Sequence, residues 1–206
     1  MVNAVTHGFG LLLAIIGALV MVSAVIGHGD IWLIIGCSIY LASLVAVYAM
    51  STLSHTAMTP RWKSLFRALD QGFIYLLIVA TYTPFSLAYL RGNVWGWVLL
   101  AAMWSVALFG FVSKVFFAHR VEAVSIASYV LLGWMPMIAA PTLLHLVPAG
   151  AFWWMFLGGV CYTVGTIFLM NDYRVRHLHA VWHVCVIAGS ACHFAGILFF
   201  VVGGLS

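Results

Sequence analysis

Charge is what this sequence has least of. Lys, Arg, Asp and Glu together make up 6% of its 206 residues, and only four are acidic. A soluble domain of this length needs roughly a quarter of its residues charged to cover its surface, so a water-soluble fold is excluded. Low-complexity linkers and internal repeats are missing too, which leaves no tether between separate domains. The net charge of +4 comes from eight Lys and Arg in short joins, too few for nucleic-acid binding. Cysteine is scarce: Cys37, Cys161, Cys185 and Cys192 stand inside apolar segments without CxxC spacing and read as packed thiols. The only lysines, Lys63 and Lys114, lie in or beside the joins, so none is placed within a bundle to carry a retinal Schiff base.

What is abundant is hydrocarbon. Hydrophobic residues make up 66% of the chain, and a spanning helix takes ~20 of them. Cutting at polar and turn residues gives seven segments, at roughly 4–27, 31–55, 69–90, 94–113, 123–144, 151–170 and 177–204. The expected fold is therefore an all-α integral membrane protein, a seven-transmembrane-helix bundle forming one domain over residues 1–206. The first run lacks a basic lead-in and is long enough to span, so it reads as an uncleaved first helix. The stretch 123–150, with Pro136, Pro141 and Pro148, is the least regular.

Charge then sets direction. With seven spans, the N-terminus and the second, fourth and sixth loops share one side. That side carries Arg61, Lys63, Arg67, Lys114, Arg120, Arg174 and Arg176, against Arg91 alone on the other. The positive-inside rule makes the richer side cytoplasmic, with the N-terminus cytoplasmic and the C-terminus outside.

Direction places the polar residues. STLSH (51–55) ends the second span at the cytoplasmic level, LDQG begins the third there with Asp70, and HLHAVWH begins the seventh there with His179 and His183. Residues four apart share a helix face, so Ser51 and His55 point together, as do His179 and His183. Two such histidines can grip one metal, with His55 as third ligand and a fourth position left for water. Thiolate-free imidazole ligation suits zinc, and also iron, copper or nickel. Asp70, the one acidic residue expected at this depth, could hydrogen-bond the water or a ligand. Blander roles compete: Ser51 can bond back to its own helix, and Asp70 can cap the third helix. His7, His28, His119, His145 and His177 read as headgroup or loop contacts. His193 is fourteen residues from His179, a spacing that suits stacked haems, but the second span offers only His55 as a partner. At 1.5 Å per residue His193 is also ~15 Å from His183, so it reads as a satisfied histidine deep in the bundle.

These residues carry a resemblance. S-x3-H at 51–55, LDQGFIYLLIVATYTPF (69–85), FFAHR (116–120), GGVCYTVGTIF (158–168) and HAVWHVCVIAGSACHF (179–194) resemble the bacterial hemolysin III branch of the progestin and adipoQ receptor family, from about THGFG (6–10) to the C-terminus. The resemblance implies seven helices with the N-terminus inside, and zinc (Zn2+) on His55, His179 and His183. It also implies that Asp70 contacts the zinc-bound water and that Ser51 sits beside the site. Relatives in the wider superfamily include adiponectin receptors and alkaline ceramidases. The sequence departs from the pattern at Ser54, often Tyr in relatives, at Gln71, where close relatives can carry His, and in a nearly absent N-terminal lead-in.

The function expected is a zinc-dependent hydrolase of lipid amides or esters in the bacterial inner membrane, serving membrane lipid homeostasis. Asp70 would be its general base or water orienter and Ser51 would help hold the carbonyl oxygen; the partners would be membrane lipids, ceramide-like or other acyl lipids. The same ligands also serve a sensor or regulator in which zinc is a structural staple. Direct pore formation, which the family name suggests, fits less well, because the spans are apolar all round.

Overall fold

The computed structural model describes residues 2–117, 122–175 and 177–205; the side chains of 122–125, 142 and 205 lie outside that description. Among these residues every regular element is helical: α1 (Val2–Val25), α2 (Ile31–Thr56), α3 (Pro60–Phe85), α4 (Val94–Phe116), α5 (Glu122–Trp134), α6 (Ala140–Leu146), α7 (Ala149–Met170) and α8 (Leu178–Gly196). α3 and α8 run on through wider turns, Ser86–Leu90 and Ile197–Val202. Among the described residues, six helices are long and apolar enough to cross a membrane: α1, α2, α3, α4, α7 and α8.

The expected fifth segment is broken. α5, a tight turn at Met135–Ala139 and α6 take its place. Pro136 and Pro141 have no N–H to donate and their rings crowd the preceding turn, and two of them five residues apart break the helix where the single Pro84 leaves α3 continuous. The apolar stretch Ile126–Ala139 is accordingly shorter than the other six. His119, Arg120, Arg176 and most of the FFAHR motif lie outside the described residues.

α3 starts earlier than the hydropathy suggests. Pro60 stands in its first turn, where its fixed φ and missing N–H cost nothing. Arg61, Lys63 and Arg67 therefore ride exposed on the first turns rather than in a loop. Asp70 consequently lies well inside α3, which removes the capping role weighed for it. α2 does have a carboxylate cap: the Trp32 backbone N–H donates to Asp30 Oδ1 at 2.9 Å. Arg91 Nη1 donates to the same carboxylate at 3.2 and 3.0 Å. The Trp32 N–H, with the Arg91 guanidinium beside it, holds the Asp30 carboxyl below the usual carboxylate range. This pair ties the α1–α2 loop to the α3–α4 loop at one end of the bundle; the histidines gather at the other.

Packing runs α1 against α2, α2 against α3, α3 against α4, and α7 against α8, with α1 closing onto α8. Leu19, Phe109, Ile167 and Phe199 face outward, as a bilayer solvent permits, while Tyr40, Tyr48, Phe85 and Met103 are buried. α2 and α3 touch through backbone: a Cβ on Gly36 would lie 2.9 Å from Pro84 Cα. With no hydrophobic gain to be had in lipid, such close approach is a main source of helix–helix affinity. At the far end of the same α2–α3 seam, Ser54 Oγ approaches Asp70 Oδ2 at 3.4 Å.

Candidate metal centre

Two helix ends converge at the end of the bundle that carries Arg61, Lys63 and Arg67. α2 brings His55 on its last turn, and α8 brings His179 and His183 on successive turns of one face. His55 has its ring centroid 5.3 Å from those of both other histidines, which are 4.6 Å from each other. One ring nitrogen of each lies within 4.8 Å of the other two, and this group could hold a metal ion. His183 is buried; His55 and His179 are half-buried.

The hydrogen bonds around the rings say which nitrogens are free to ligate. Thr6 Oγ1 donates its hydrogen to the Asn3 carbonyl oxygen at 3.0 Å. With that hydrogen so placed, Thr6 Oγ1 can accept from His183 Nδ1, 2.9 Å away, an arrangement that puts the proton on Nδ1. His179 Nδ1 is 2.7 Å from Asp172 Oδ2, so its proton also belongs on Nδ1. Both rings are left with a bare Nε2, the form in which imidazole binds a metal, each oriented through its other nitrogen. The residues present fit a metal.

The cluster opens on a cavity of about 470 Å³ that Ser51, Ser54, His55, Asp70, His179 and His183 all line. Ser51 is 1% exposed. Ser54 Oγ donates to the Ser51 carbonyl at 2.8 Å and approaches Asp70 Oδ2 at 3.4 Å. Ser54, one of the residues that depart from the family pattern, is thus in contact with the acid. Lys63, Arg67 and Lys114 line the same cavity, Lys114 Nζ donating to Gln71 Oε1 at 3.2 Å.

Two expectations need correction. His7 is not a headgroup contact: it is 3% exposed, its ring centroid 3.5 Å from that of His183. His7 enters the bundle at the level of the other three and lines the same cavity. Nor is Asp70 the one acid at this depth, because Asp172 is bonded to His179. Asp172 stands in a turn, seven residues before His179, where no helical period announces a shared face. Of the remaining histidines, His145 and His177 are exposed and His28 is half-buried; His177 starts α8 with a φ of 73°. His193 stays apart from the metal group, as its spacing implied.

A helical bundle apolar enough for lipid, with a histidine cluster that could hold a metal, defines a multi-pass membrane protein with a metal-competent site at one end of its bundle. Comparison with known proteins narrows the class. The profile of the family described as Haemolysin-III related matches residues 1–194. "Hemolysin-3" of Bacillus cereus is 37% identical over 200 residues, covering 97% of this chain and 90% of that protein. The "Hemolysin-3 homolog" of Bacillus subtilis (strain 168) is 38% identical over 97% of this chain and 93% of its own length. At greater distance, the human "Monocyte to macrophage differentiation factor" is 25% identical over 95% of this chain and 81% of its own length. The chain belongs to the Haemolysin-III related family and is a multi-pass membrane protein of the bacterial type.

Proposed function

We propose that the chain is a zinc-dependent hydrolase of lipid amide or ester bonds in the bacterial inner membrane, acting in membrane lipid homeostasis. One observation carries the reading: the His55/His179/His183 group does not close on itself but faces a cavity whose lining includes Asp70, Ser51 and Ser54. A staple would need the ligands and nothing beside them. Zinc held there would polarise an acyl carbonyl and acidify a water. Asp70 is the group that takes and returns the proton, and Ser54, bonded to its carboxylate, keeps it turned toward the cavity. Ser51 supplies a hydroxyl for the carbonyl oxygen. Asp172 and Thr6 hold the ligand rings in register. The lipid enters from the bilayer with its head at the level of Lys63 and Arg67 and its chain along the cavity.

The same reading takes the chain as one domain of seven spans, the broken α5–α6 segment counting as the fifth, with the N-terminus cytoplasmic and the C-terminus outside. What supports this direction is that Lys63, Arg67 and Lys114 share the histidine end of the bundle, whereas Arg91 is at the other with Asp30.

The experiment is release of free fatty acid from a panel of ceramides and other acyl lipids in nanodiscs, comparing wild type, Asp70→Asn and His183→Ala. Wild type should turn over at least one lipid class, Asp70→Asn should keep its metal and lose turnover, and His183→Ala should lose both. Should wild type release no more than the two variants across the panel, the chain is a zinc-stapled sensor instead.

A further inference from the structure

The cavity does not end at the metal site. It continues along α8 to His193, lined on the way by apolar side chains such as Ile74, Leu77 and Val186. Ten residues of helix separate His183 from His193, a rise of ~15 Å, or about half the thickness of a bilayer's hydrocarbon core. A plain hydrocarbon tail would call for an apolar floor at that depth. The floor is instead polar: His193 lies stacked on Tyr162, ring centroids 5.5 Å apart and 20° between planes, with Tyr82 edge-on at 6.1 Å.

The tyrosines are satisfied. Tyr82 Oη donates to the Gly133 carbonyl at 2.7 Å, and Tyr162 Oη shares a 2.9 Å hydrogen bond with Ser190 Oγ, which also accepts from Tyr48 Oη. The imidazole is not. His193 is 2% exposed, yet its Nδ1 has no hydrogen-bond partner among the described residues, contrary to the satisfied histidine expected. A ring nitrogen left unmet in so dry a place is costly, and polar groups within a membrane span are functional candidates by default. Room for the ring is built in as well. Gly158 of α7 lies against it, and a Cβ there would come within 2.5 Å of His193 Nε2.

We propose that this floor is a second binding subsite, in which His193 hydrogen-bonds an oxygen function, a hydroxyl or keto group, carried part-way along the chain of an acyl lipid whose carbonyl end is at the metal site. The cavity prefers chains with two polar points separated by an apolar run over chains with one. We take the cavity as an acyl-lipid site, as above, but binding alone is needed here, not turnover.

Oleate and ricinoleate provide the test, because they differ only in a mid-chain hydroxyl that an extended chain places near His193. Each acid is titrated against the metal-loaded protein in nanodiscs, with Kd read from intrinsic fluorescence and checked by thermal shift. Wild type should bind ricinoleate about tenfold more tightly than oleate. His193→Phe should bind both alike, and His193→Gln should restore part of the preference. Gly158→Ala, which leaves the imidazole intact but takes its space, should also narrow the gap. Equal binding of the two acids by wild type, a preference that survives His193→Phe in folded protein, or no binding of either acid would each overturn the subsite. Neither acid has a bond to hydrolyse, so a wild type that sorts them yet cleaves no lipid would refute the hydrolase and leave the subsite standing.

Discussion

Asp172→Ala leaves all three histidines in place and takes away only what orients one of them. In the folded protein the carboxylate lies 2.7 Å from His179 Nδ1, so the substitution frees that ring to rotate and to carry its proton on either nitrogen. Outer partners of this kind contribute roughly 10- to 100-fold in metal affinity, equivalent to about 1.4–2.7 kcal/mol. The pair here is partly open to solvent, with side chains 32% and 30% exposed, so water can replace some of the lost bond. The expected loss is therefore at the low end, about tenfold. Asp172→Asn keeps an acceptor oxygen at nearly the same place and should lose less. Thr6→Val removes the acceptor for His183 Nδ1 in a drier setting, where water does not substitute, and should cost at least as much as Asp172→Ala. The measurement is zinc affinity by competition against a chelator of known Kd, at fixed pH and with folding checked by thermal melting. Unchanged affinity in all three variants would refute the assignment of Nε2 as ligand atom on His179 and His183, and with it the orienting roles.

Removing a ligand outright is a larger change: His183→Ala and the His179→Ala/His183→Ala double variant should lose most of the bound zinc by metal analysis, whereas His193→Ala should retain it. Gly36→Ala sets a methyl 2.9 Å from Pro84 Cα, in backbone that cannot yield as a side chain would, and should destabilise by about 1–3 kcal/mol in a detergent melt. Asp30→Ala removes a helix cap and an ion pair together and should cost about 0.5–2 kcal/mol. Because the folded carboxyl is held below its ordinary value of 3.8, that stabilisation is present above about pH 4 and is lost as pH falls through the lowered folded value; wild type and variant should converge only in acid. A reporter fused after Ser206 should report from outside the cytoplasm, and a cytoplasmic signal would overturn the assigned direction.

The parts of this site that follow a period could be seen in the sequence. His179 and His183 share a face because the helix repeats every 3.6 residues, and hydropathy puts His55 at their level and Asp70 on the same cavity. Asp172 and Thr6 were hidden for a common reason. Each reaches its histidine through a loop or from another helix, and the angle at which α1 meets α8 is written in no local pattern. His7 sat at a readable depth, but a lone histidine near a helix end is indistinguishable from a surface one until α8 is packed across it. The start of α3 was misjudged because hydropathy follows the oily residues, while the helix follows Pro60 and extends well past the edge of the oil. The fifth segment was legible as irregular from its prolines, though not the place where it breaks.

The contact between Thr6 and His183 spans 177 positions of sequence. During synthesis the first of these residues is in the membrane long before the second has left the ribosome. Every other part of the centre waits on the same event, since His179 and His183 are both carried by the last helix. No partial chain can offer the three-nitrogen grip, so a nascent or truncated protein has nothing with which to hold zinc against cellular chelators. A zinc ion bound there would consequently act as a latch that engages only once α8 is in place. It would then resist the undocking of α8 by up to about 4 kcal/mol with free metal at a thousand times its Kd. Starvation for zinc would then thin the population of mature protein in the membrane before it touched any individual molecule's chemistry.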